Sequence, residues 1–198
     1  MLRLEHRVFM RYHVVVTFVI APYRLSITGS PGSGKSTLAK EFENLGFHVI
    51  SVEELAVEHN CIGEIDSIDQ ARPIDLDALN DAIEKDWTTA PLEPLIIDGH
   101  LSHHLPTDAV VVLRCSPKVL EERMKKRNYS ESKILGNCDW ELLGSSWNEK
   151  DSEIPWNEYD TTKNDVHSIV VALSLWISDG FKPESPLSVI DWVSELEE

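Results

Sequence analysis

Short apolar runs alternate with amphipathic stretches along most of the chain, from residue 23 to residue 177. Four apolar runs predict strands that are buried on both faces, as in a parallel sheet, at residues 25–28, 47–51, 95–97 and 109–113. Apolar residues spaced three and four apart predict helices at residues 35–45, 52–58, 75–87, 117–127, 130–143 and 166–177. Residues 156–159 are a candidate last strand. This alternation predicts a three-layer α/β fold, with a parallel sheet between helices.

The first 22 residues differ from this pattern. Arg3, Arg7 and Arg11 precede an apolar run at residues 14–20. A basic stretch followed by an apolar one resembles a short signal peptide, but no small-residue cleavage site follows. The run is also too short to span a bilayer, which takes ~20 residues. We expect residues 1–22 to be an N-terminal extension without an assigned function, forming a loose arm or an extra strand.

Composition indicates one globular domain with an acidic surface. The chain has 198 residues, of which 42% are hydrophobic and 26% charged, and its net charge is −16. Such a charge repels DNA, RNA and anionic lipid, and it suits a basic partner. The three cysteines are scattered and form no CxxC pair, which favours neither a zinc ribbon nor a disulfide framework. We expect a cytoplasmic protein that binds neither membranes nor DNA.

A phosphate-binding motif lies between the first predicted strand and helix of the domain. Residues 29–36 read GSPGSGKS, which matches G-x-x-x-x-G-K-[ST] in the required strand–loop–helix context. The glycines let backbone N–H groups surround a phosphate, and the helix N-terminus adds a partial positive charge. Lys35 is expected to bridge the β- and γ-phosphates of ATP, and Ser36 to hold Mg²⁺. The predicted ATP-binding residues are Gly29, Gly32, Ser33, Gly34, Lys35, Ser36 and Thr37.

A second polar element follows the strand predicted at residues 95–97. Asp98 ends this strand, where P-loop enzymes place an acid that orients Mg²⁺, so it is a candidate metal residue beside Ser36. His100 lies at the same edge of the sheet, where it could orient a water or a phosphate. We expect His103 and His104 to be solvent-exposed loop residues rather than metal ligands.

Basic residues gather around the end of the helix predicted at residues 117–127. Arg127 lies at its end, and a guanidinium there is expected to reach over the triphosphate from a lid and to neutralise charge. Arg123, one turn earlier, is a weaker candidate for the same role. Lys125 and Lys126 fit a solvated helix face.

Several motifs occur together in one order and spacing. They are Gly29 to Thr37, Asp98-x-His100, Val112-Leu113-Arg114, Arg127 to Glu131, and Lys133 to Glu141. In this combination, residues 24–177 resemble the small nuclear-type adenylate kinases, also called coilin-interacting nuclear ATPase proteins or adenylate kinase isoenzyme six, and their archaeal counterparts. The resemblance implies a P-loop nucleoside monophosphate (NMP) kinase-like domain at residues 23–180, with an NMP-binding segment at residues 51–74 and a lid at residues 126–136. Residues 181–198 form an acidic tail outside the family pattern.

The resemblance also implies an activity and partners. The family converts ATP and AMP to two ADP with broad NMP tolerance, uses Mg²⁺ with ATP, and hydrolyses ATP. The implied catalytic residues are Lys35, Asp98, His100 and Arg127. Family members also act in late small ribosomal subunit maturation, in which they bind the small-subunit ribosomal protein of the universal eleventh family, and the final cleavage of the rRNA follows. The corresponding partner here is that protein on a pre-30S particle.

Two alternatives stay open at this stage. The protein could be an ATP-driven ribosome assembly switch whose NMP kinase activity is incidental, or a kinase for another small hydroxylated metabolite on the same fold. The NMP segment departs from ordinary adenylate kinases because Arg72 is its only arginine. Arg114, at the end of a strand, is a candidate second positive charge. We expect Trp140, Trp147 and Trp156 to lie in the core.

Overall fold

The computed structural model describes residues 6–9, 15–18, 21–66, 72–150 and 153–195. Its strands are β1 His6–Phe9, β2 Val15–Phe18, β3 Arg24–Thr28, β4 His48–Ser51, β5 Leu95–Asp98, β6 Ala109–Arg114 and β7 Trp156–Asp160. Its helices are α1 Lys35–Asn44, α2 Val52–Glu58, α3 Leu76–Trp87, α4 Pro117–Lys126, α5 Glu131–Leu142, α6 Val166–Ser178 and α7 Trp192–Glu195. None of the helices in this part of the chain is long and apolar enough to cross a membrane.

Five strands form the central sheet, in the order β4-β5-β3-β6-β7, and every neighbouring pair is parallel. The predicted α/β fold with a P-loop, NMP kinase-like core is therefore confirmed. The chain runs from β3 to β4 and β5 on one side of β3, and then crosses to β6 and β7 on its other side. In open α/β sheets, the crevice at this switch point, beyond the carboxyl ends of the strands, binds ligands.

Hydrophobic clusters on the two faces of the sheet hold the layers together. Consecutive strand residues point to opposite faces, and Ile96 and Ile97 of β5 accordingly belong to different clusters. The cluster on one face contains Leu38 and Phe42 of α1 together with apolar residues of α6. The cluster on the other face contains residues of α2 and α3. Helices therefore cover both faces, as the apolar strands predicted.

Helix starts differ from the predictions where a side chain caps the helix. Asp75 and Ser130 were predicted as first helical residues, but each is extended and accepts a hydrogen bond from a backbone N–H three residues later. Helix α2 begins after a capping box in which the Ser51 hydroxyl accepts from the N–H of Glu54 and the Glu54 carboxylate accepts from that of Ser51.

The segments outside the predicted domain form local structure. Strands β1 and β2 pair antiparallel as a separate two-stranded sheet, where we expected a loose arm or one extra strand. Residues 1–5, 10–14 and 19–20 of the predicted extension lie outside the described residues. At the other end, Phe181 is buried against Tyr23 and Trp176, and Trp192 is only 2% exposed. The segment after α6 thus packs against the domain.

The three tryptophans predicted for the core have different environments. Trp156 is fully buried in β7, and the half-buried Trp147 packs edge-on against it. The prediction is wrong for Trp140, which is 43% exposed, because α5 turns that residue away from the sheet.

Candidate functional site

The phosphate-binding loop connects the end of β3 to the start of α1. Its first residue, Gly29, has φ +130°, and a Cβ there would lie 2.2 Å from the carbonyl oxygen of Leu113, so only glycine fits. Gly34 caps α1 in a left-handed conformation, and no side chain caps the helix. The first N–H groups of α1 therefore remain available to an anion, as the motif predicts.

Lys35 lies across this loop. Its ammonium donates hydrogen bonds to the carbonyl oxygens of Gly29 at 2.9 Å and Ser30 at 3.0 Å. Burial lowers the pKa of Lys35 to about 8, although the negative charges of Asp98 and Glu141 oppose this shift. A bound phosphate would compensate the desolvated ammonium; the bridging role of Lys35 stays a prediction.

Asp98 and Ser36 fit a magnesium ion. Asp98 ends β5 beside the loop, with Ser36 close to its carboxylate. Burial raises the pKa of Asp98, and the nearby Lys35 and the Ser36 hydroxyl oppose this rise. The Oδ1 atom of Asp98 is buried and accepts no hydrogen bond from the described residues. Carboxylate and hydroxyl oxygens are hard ligands of the kind that Mg²⁺ prefers, so the residues present fit this ion.

His100 lies at the mouth of the crevice. Gly99 brings the chain close to α2, since a Cβ there would lie 2.7 Å from Cγ2 of Val52. Desolvation by the crevice walls lowers the pKa of His100 to about 4, with a further contribution from the charge of Lys35. His100 is therefore neutral near pH 7, when it can accept a hydrogen bond from a water or donate one to a phosphate.

One cavity of about 590 Å³ brings most of the predicted site residues together. The phosphate-binding loop and Asp98–His100 form one wall, and the predicted NMP segment forms another. Arg127 and Lys133 of the predicted lid also reach it. Its NMP-segment and lid lining consists of Ser51, Val52, Glu53, Ile62, Ile65, Arg72, Ile74, Arg127, Tyr129 and Lys133. Gly29 and Ser33 are the predicted ATP-binding residues that do not line this cavity.

A second cavity, of about 560 Å³, lies on the other side of the phosphate-binding loop. Gly34 and Thr37 line it together with residues 161–165, which follow β7 and were missed in the sequence. Their position could have revealed them, because they follow the end of a parallel strand at the ligand-binding edge. Arg123 donates to Thr161 O at 2.8 Å and to Gly32 O at 3.4 Å, so it ties this segment to the loop. Arg127 lines both cavities.

Arg114 does not reach the cavities, contrary to the prediction that it could supply a second positive charge. Its guanidinium is fully buried, with Nε 2.7 Å from Oε1 of Glu141 and Nη1 2.9 Å from Oε2 of Glu158. Glu141 also accepts a hydrogen bond from the Ser30 hydroxyl at 2.5 Å, so α5 contacts the phosphate-binding loop directly. Glu141 ends one of the motifs that carry the family resemblance, but its partners could not be predicted because they are far away in the sequence.

His103 also differs from the prediction. We expected an exposed loop histidine, but its side chain is buried, and its Nδ1 lies 2.9 Å from the hydroxyl of Thr28 at the end of β3. Burial lowers the pKa of His103, although the hydrogen bond with Glu149 opposes the shift. His104 is partly exposed beside it.

The fold and this loop together define the chain as an α/β protein of the P-loop class. The profile of a family described as "AAA domain" matches residues 26–144. A protein of Archaeoglobus fulgidus named "Putative adenylate kinase" is 38% identical over 183 residues, covering 88% of this chain and 94% of the relative. One of the same name from Pyrococcus abyssi is 34% identical over 176 residues, covering 88% and 93%. The chain belongs to the family of these archaeal proteins, while the nuclear-type part of the resemblance stays a prediction.

Solved structures agree on the fold. A gluconokinase from Sinorhizobium meliloti aligns with a TM-score of 0.53 at 21% identity, over 80% of this chain and 95% of the neighbour. A sugar kinase from Janibacter aligns with a TM-score of 0.53 at 13% identity, over 83% and 99%. At this level of identity, the similarity concerns the fold alone.

Proposed function

We propose that the protein catalyses phosphoryl transfer from Mg²⁺-ATP to AMP or a related NMP, producing two nucleoside diphosphates. The observation that supports this proposal is the 590 Å³ cavity, in which the phosphate-binding loop and residues of the 51–74 segment face the same space. A kinase needs its donor and acceptor held in line within one desolvated crevice, and a cavity shared by the loop and this segment supports such an arrangement. The names of the archaeal relatives point to the same reaction.

Each residue of the proposed active site has a role that follows from its position. The N-terminal N–H groups of α1 and the ammonium of Lys35 hold the β- and γ-phosphates of ATP, with Thr37 at the α-phosphate. Ser36 and Asp98 hold Mg²⁺, which neutralises charge on the transferred group. Arg127 reaches the same cavity from the end of α4 and stabilises negative charge in the transition state. Gly29, Gly32, Ser33 and Gly34 give the loop its shape, and residues 126–136 act as the lid.

The acceptor side of the cavity offers fewer cationic groups to a phosphate than ordinary adenylate kinases do. Arg72 is the only arginine at residues 51–74, and Ile62, Ile65 and Ile74 form the apolar lining around it. One guanidinium binds a phosphate less tightly than the several of ordinary adenylate kinases, and an apolar wall does not select one base by hydrogen bonds. We therefore propose a high KM for the acceptor and a broad range of NMPs.

The test is to incubate the protein with Mg²⁺-ATP, with and without AMP, and to separate nucleotides from free phosphate. We expect two ADP per ATP consumed, only when AMP is present, and little phosphate. Lys35→Ala should lower kcat/KM by at least about a hundredfold with the fold retained. Lys40→Ala, an exposed lysine on the same helix, is the matched control and should keep full activity. Turnover by Lys35→Ala at the rate of the control would refute the assignment.

We also propose a slower ATPase activity that depends on His100. The neutral ring at the crevice mouth can position a water when no acceptor is bound. His100→Ala should lower phosphate release in the absence of AMP at least about tenfold, and it should change the Kd for ATP much less. Equal losses in both quantities would mean that His100 contributes to binding rather than to hydrolysis.

The ribosomal role is a second proposal, favoured by the net charge of −16, which attracts a basic partner. We propose binding to the small-subunit ribosomal protein of the universal eleventh family on a cytoplasmic pre-30S particle, with ATP as the switch. Pulldown of that purified protein should weaken steeply with salt and depend on ATP. No ATP-dependent binding at low salt would rule out the switch, including the version in which NMP kinase activity is incidental.

A further inference from the structure

Two histidines and a glutamate meet close to the phosphate-binding loop but outside the 590 Å³ cavity. Nε2 of His103 lies 2.7 Å from Oε2 of Glu149, and Nε2 of His104 lies 3.7 Å from the same oxygen. The three possible ligand atoms all lie within 4.8 Å of one another. The histidines belong to a 3₁₀ turn after β5, and Glu149 ends another 3₁₀ turn before β7. Two segments distant in sequence thus converge on one point.

The cluster borders a cavity on its solvent side and packed side chains on its buried side. A cavity of about 520 Å³ lies against the two histidines, and Asp81 and Glu84 of α3 also line it. On the inner side, Trp156 packs edge-on against the ring of His103, with 5.8 Å between ring centroids. The ring of His103 is therefore held in orientation, whereas Glu149 and His104 reach solvent and can adjust.

Thr28 contacts the inner nitrogen of His103. The Thr28 hydroxyl donates to the carbonyl oxygen of His100 at 2.9 Å and lies 2.9 Å from Nδ1 of His103. With its proton on this carbonyl, the hydroxyl accepts the Nδ1–H of His103. The outer nitrogen, Nε2, is hydrogen-bonded to the Glu149 carboxylate at 2.7 Å. A divalent cation can replace the proton of this hydrogen bond, because metal binding releases protons from its ligands.

We propose that His103, His104 and Glu149 bind a divalent transition-metal ion of the zinc type. Two imidazole nitrogens and a carboxylate are ligands that such ions prefer, whereas Mg²⁺ and Ca²⁺ prefer oxygen alone. Ligands of a tetrahedral zinc ion lie roughly 3.4 Å from one another. The His103–Glu149 pair, at 2.7 Å, therefore has to widen on metal binding, and the His104–Glu149 pair, at 3.7 Å, has to close slightly. Water or a carboxylate of α3 completes the coordination. The Thr28 hydroxyl accepts the Nδ1–H of His103, as outer partners of metal-bound histidines do.

The bound ion would be structural. It joins the turn after β5 to the turn before β7, and through Thr28 it supports the strand that leads into the phosphate-binding loop. The ion does not contact the nucleotide cavity, so it is separate from the Mg²⁺ of the proposed kinase reaction. We expect it to raise the midpoint of thermal unfolding, since a ligand that binds only the folded state stabilises it.

The test uses the full chain, stripped with a chelator and titrated with Co²⁺, whose visible absorption reports tetrahedral nitrogen and oxygen ligands. We expect one Co²⁺ per chain, displaced by Zn²⁺ and not by excess Mg²⁺, together with a higher unfolding midpoint in Zn²⁺. His104→Ala and Glu149→Gln should each weaken Co²⁺ binding at least about tenfold and remove the thermal shift. Both side chains are partly exposed, so these variants keep the fold.

Two controls isolate the site. His48 lies 3.8 Å from Glu93 in another exposed histidine–glutamate pair, and His48→Ala should bind Co²⁺ like the wild type. Lys35→Ala should also bind Co²⁺ normally, so that failure of the kinase proposal and failure of the metal site can be distinguished. The absence of a tetrahedral Co²⁺ spectrum in the wild type, or equal binding by wild type and His104→Ala, would overturn the proposal.

Discussion

Single side chains in the crevice owe their chemistry to desolvation. Lys35 and His100 are both shifted toward their neutral forms, Lys35 to a pKa of about 8 and His100 to about 4. The two shifts have different consequences near pH 7. His100 is neutral, whereas Lys35 is still mostly charged but close to its titration range. A bound polyphosphate would favour the charged ammonium and raise the pKa of Lys35 again.

ATP affinity should therefore depend on pH through Lys35. The charged ammonium binds phosphate, so affinity is full below about pH 8 and falls above it, by up to about tenfold per pH unit. ATP binding near pH 8 should also take up protons, because the complex favours the charged form of Lys35. Calorimetry in buffers of different ionisation enthalpy measures both effects.

The control for this pH dependence is an exposed lysine on the same helix. Lys40→Met should retain the proton uptake and the pH profile, whereas the residual affinity of Lys35→Met should not change between about pH 7 and about pH 9.5. An unchanged profile in Lys35→Met would assign the titration to another group.

Elements are connected at the site through buried polar contacts as well as apolar packing. Glu141 of α5 accepts hydrogen bonds from Ser30 of the phosphate-binding loop, from Arg114 at the end of β6 and from the indole of Trp192 in α7. The Glu158 carboxylate of β7 accepts from the other side of Arg114. Four elements and the loop therefore meet at one fully buried ion pair, whose stability depends on every partner being present.

Removing the charge of Glu141 should destabilise the protein strongly. Glu141→Gln leaves Arg114 paired with Glu158 but replaces charge-assisted hydrogen bonds of a buried carboxylate with neutral ones, so we expect the free energy of unfolding to fall by about 1.5–3 kcal/mol. Urea denaturation followed by tryptophan fluorescence measures this change. Asp139→Asn, an exposed residue on the same helix, should change stability by less than about 0.5 kcal/mol. Similar values for the two variants would show that the buried pair adds nothing to stability.

The whole molecule includes the segment after α6, which the quoted sequence motifs do not reach. Residues after α6 pack along β7, where the N–H of Trp156 donates to Glu184 O at 3.0 Å and the N–H of Ile190 donates to Glu158. The segment then ends on Trp192, which lies over Arg114. These contacts close one side of the buried ion pair, so we expect the segment to stabilise the domain.

Loss of the Trp192 side chain should unfold the protein at lower denaturant. The side chain is 2% exposed, and deleting a buried tryptophan removes about 3–5 kcal/mol of stability. Leu187→Ala changes a fully exposed residue of the same segment and should leave the urea midpoint unchanged. Equal midpoints for Trp192→Ala and Leu187→Ala would mean that the segment does not stabilise the core.

Local sequence patterns were sufficient to predict the strands and helices and the residues of one wall of the site. A strand buried on both faces is apolar throughout, a capped helix has a periodic stripe, and the phosphate-binding loop needs glycines at fixed positions such as Gly29. Each of these constraints acts between residues close in sequence, so the order of strands and helices, the loop and Asp98 could all be predicted.

Tertiary structure decided what depends on residues far apart. Arg114 and Glu141 are separated by 27 positions, and Thr28 and His103 by 75, so no sequence period reveals that they meet. Arg114 is a candidate phosphate ligand by sequence, but in the structure it is buried and pairs with Glu141 and Glu158. The same packing places His103 beside Glu149. The sequence alone determined that this chain is an α/β protein with a phosphate-binding loop motif, because those signals are local. Packing across the sheet decided which polar residues line the crevice and which stabilise the fold away from it.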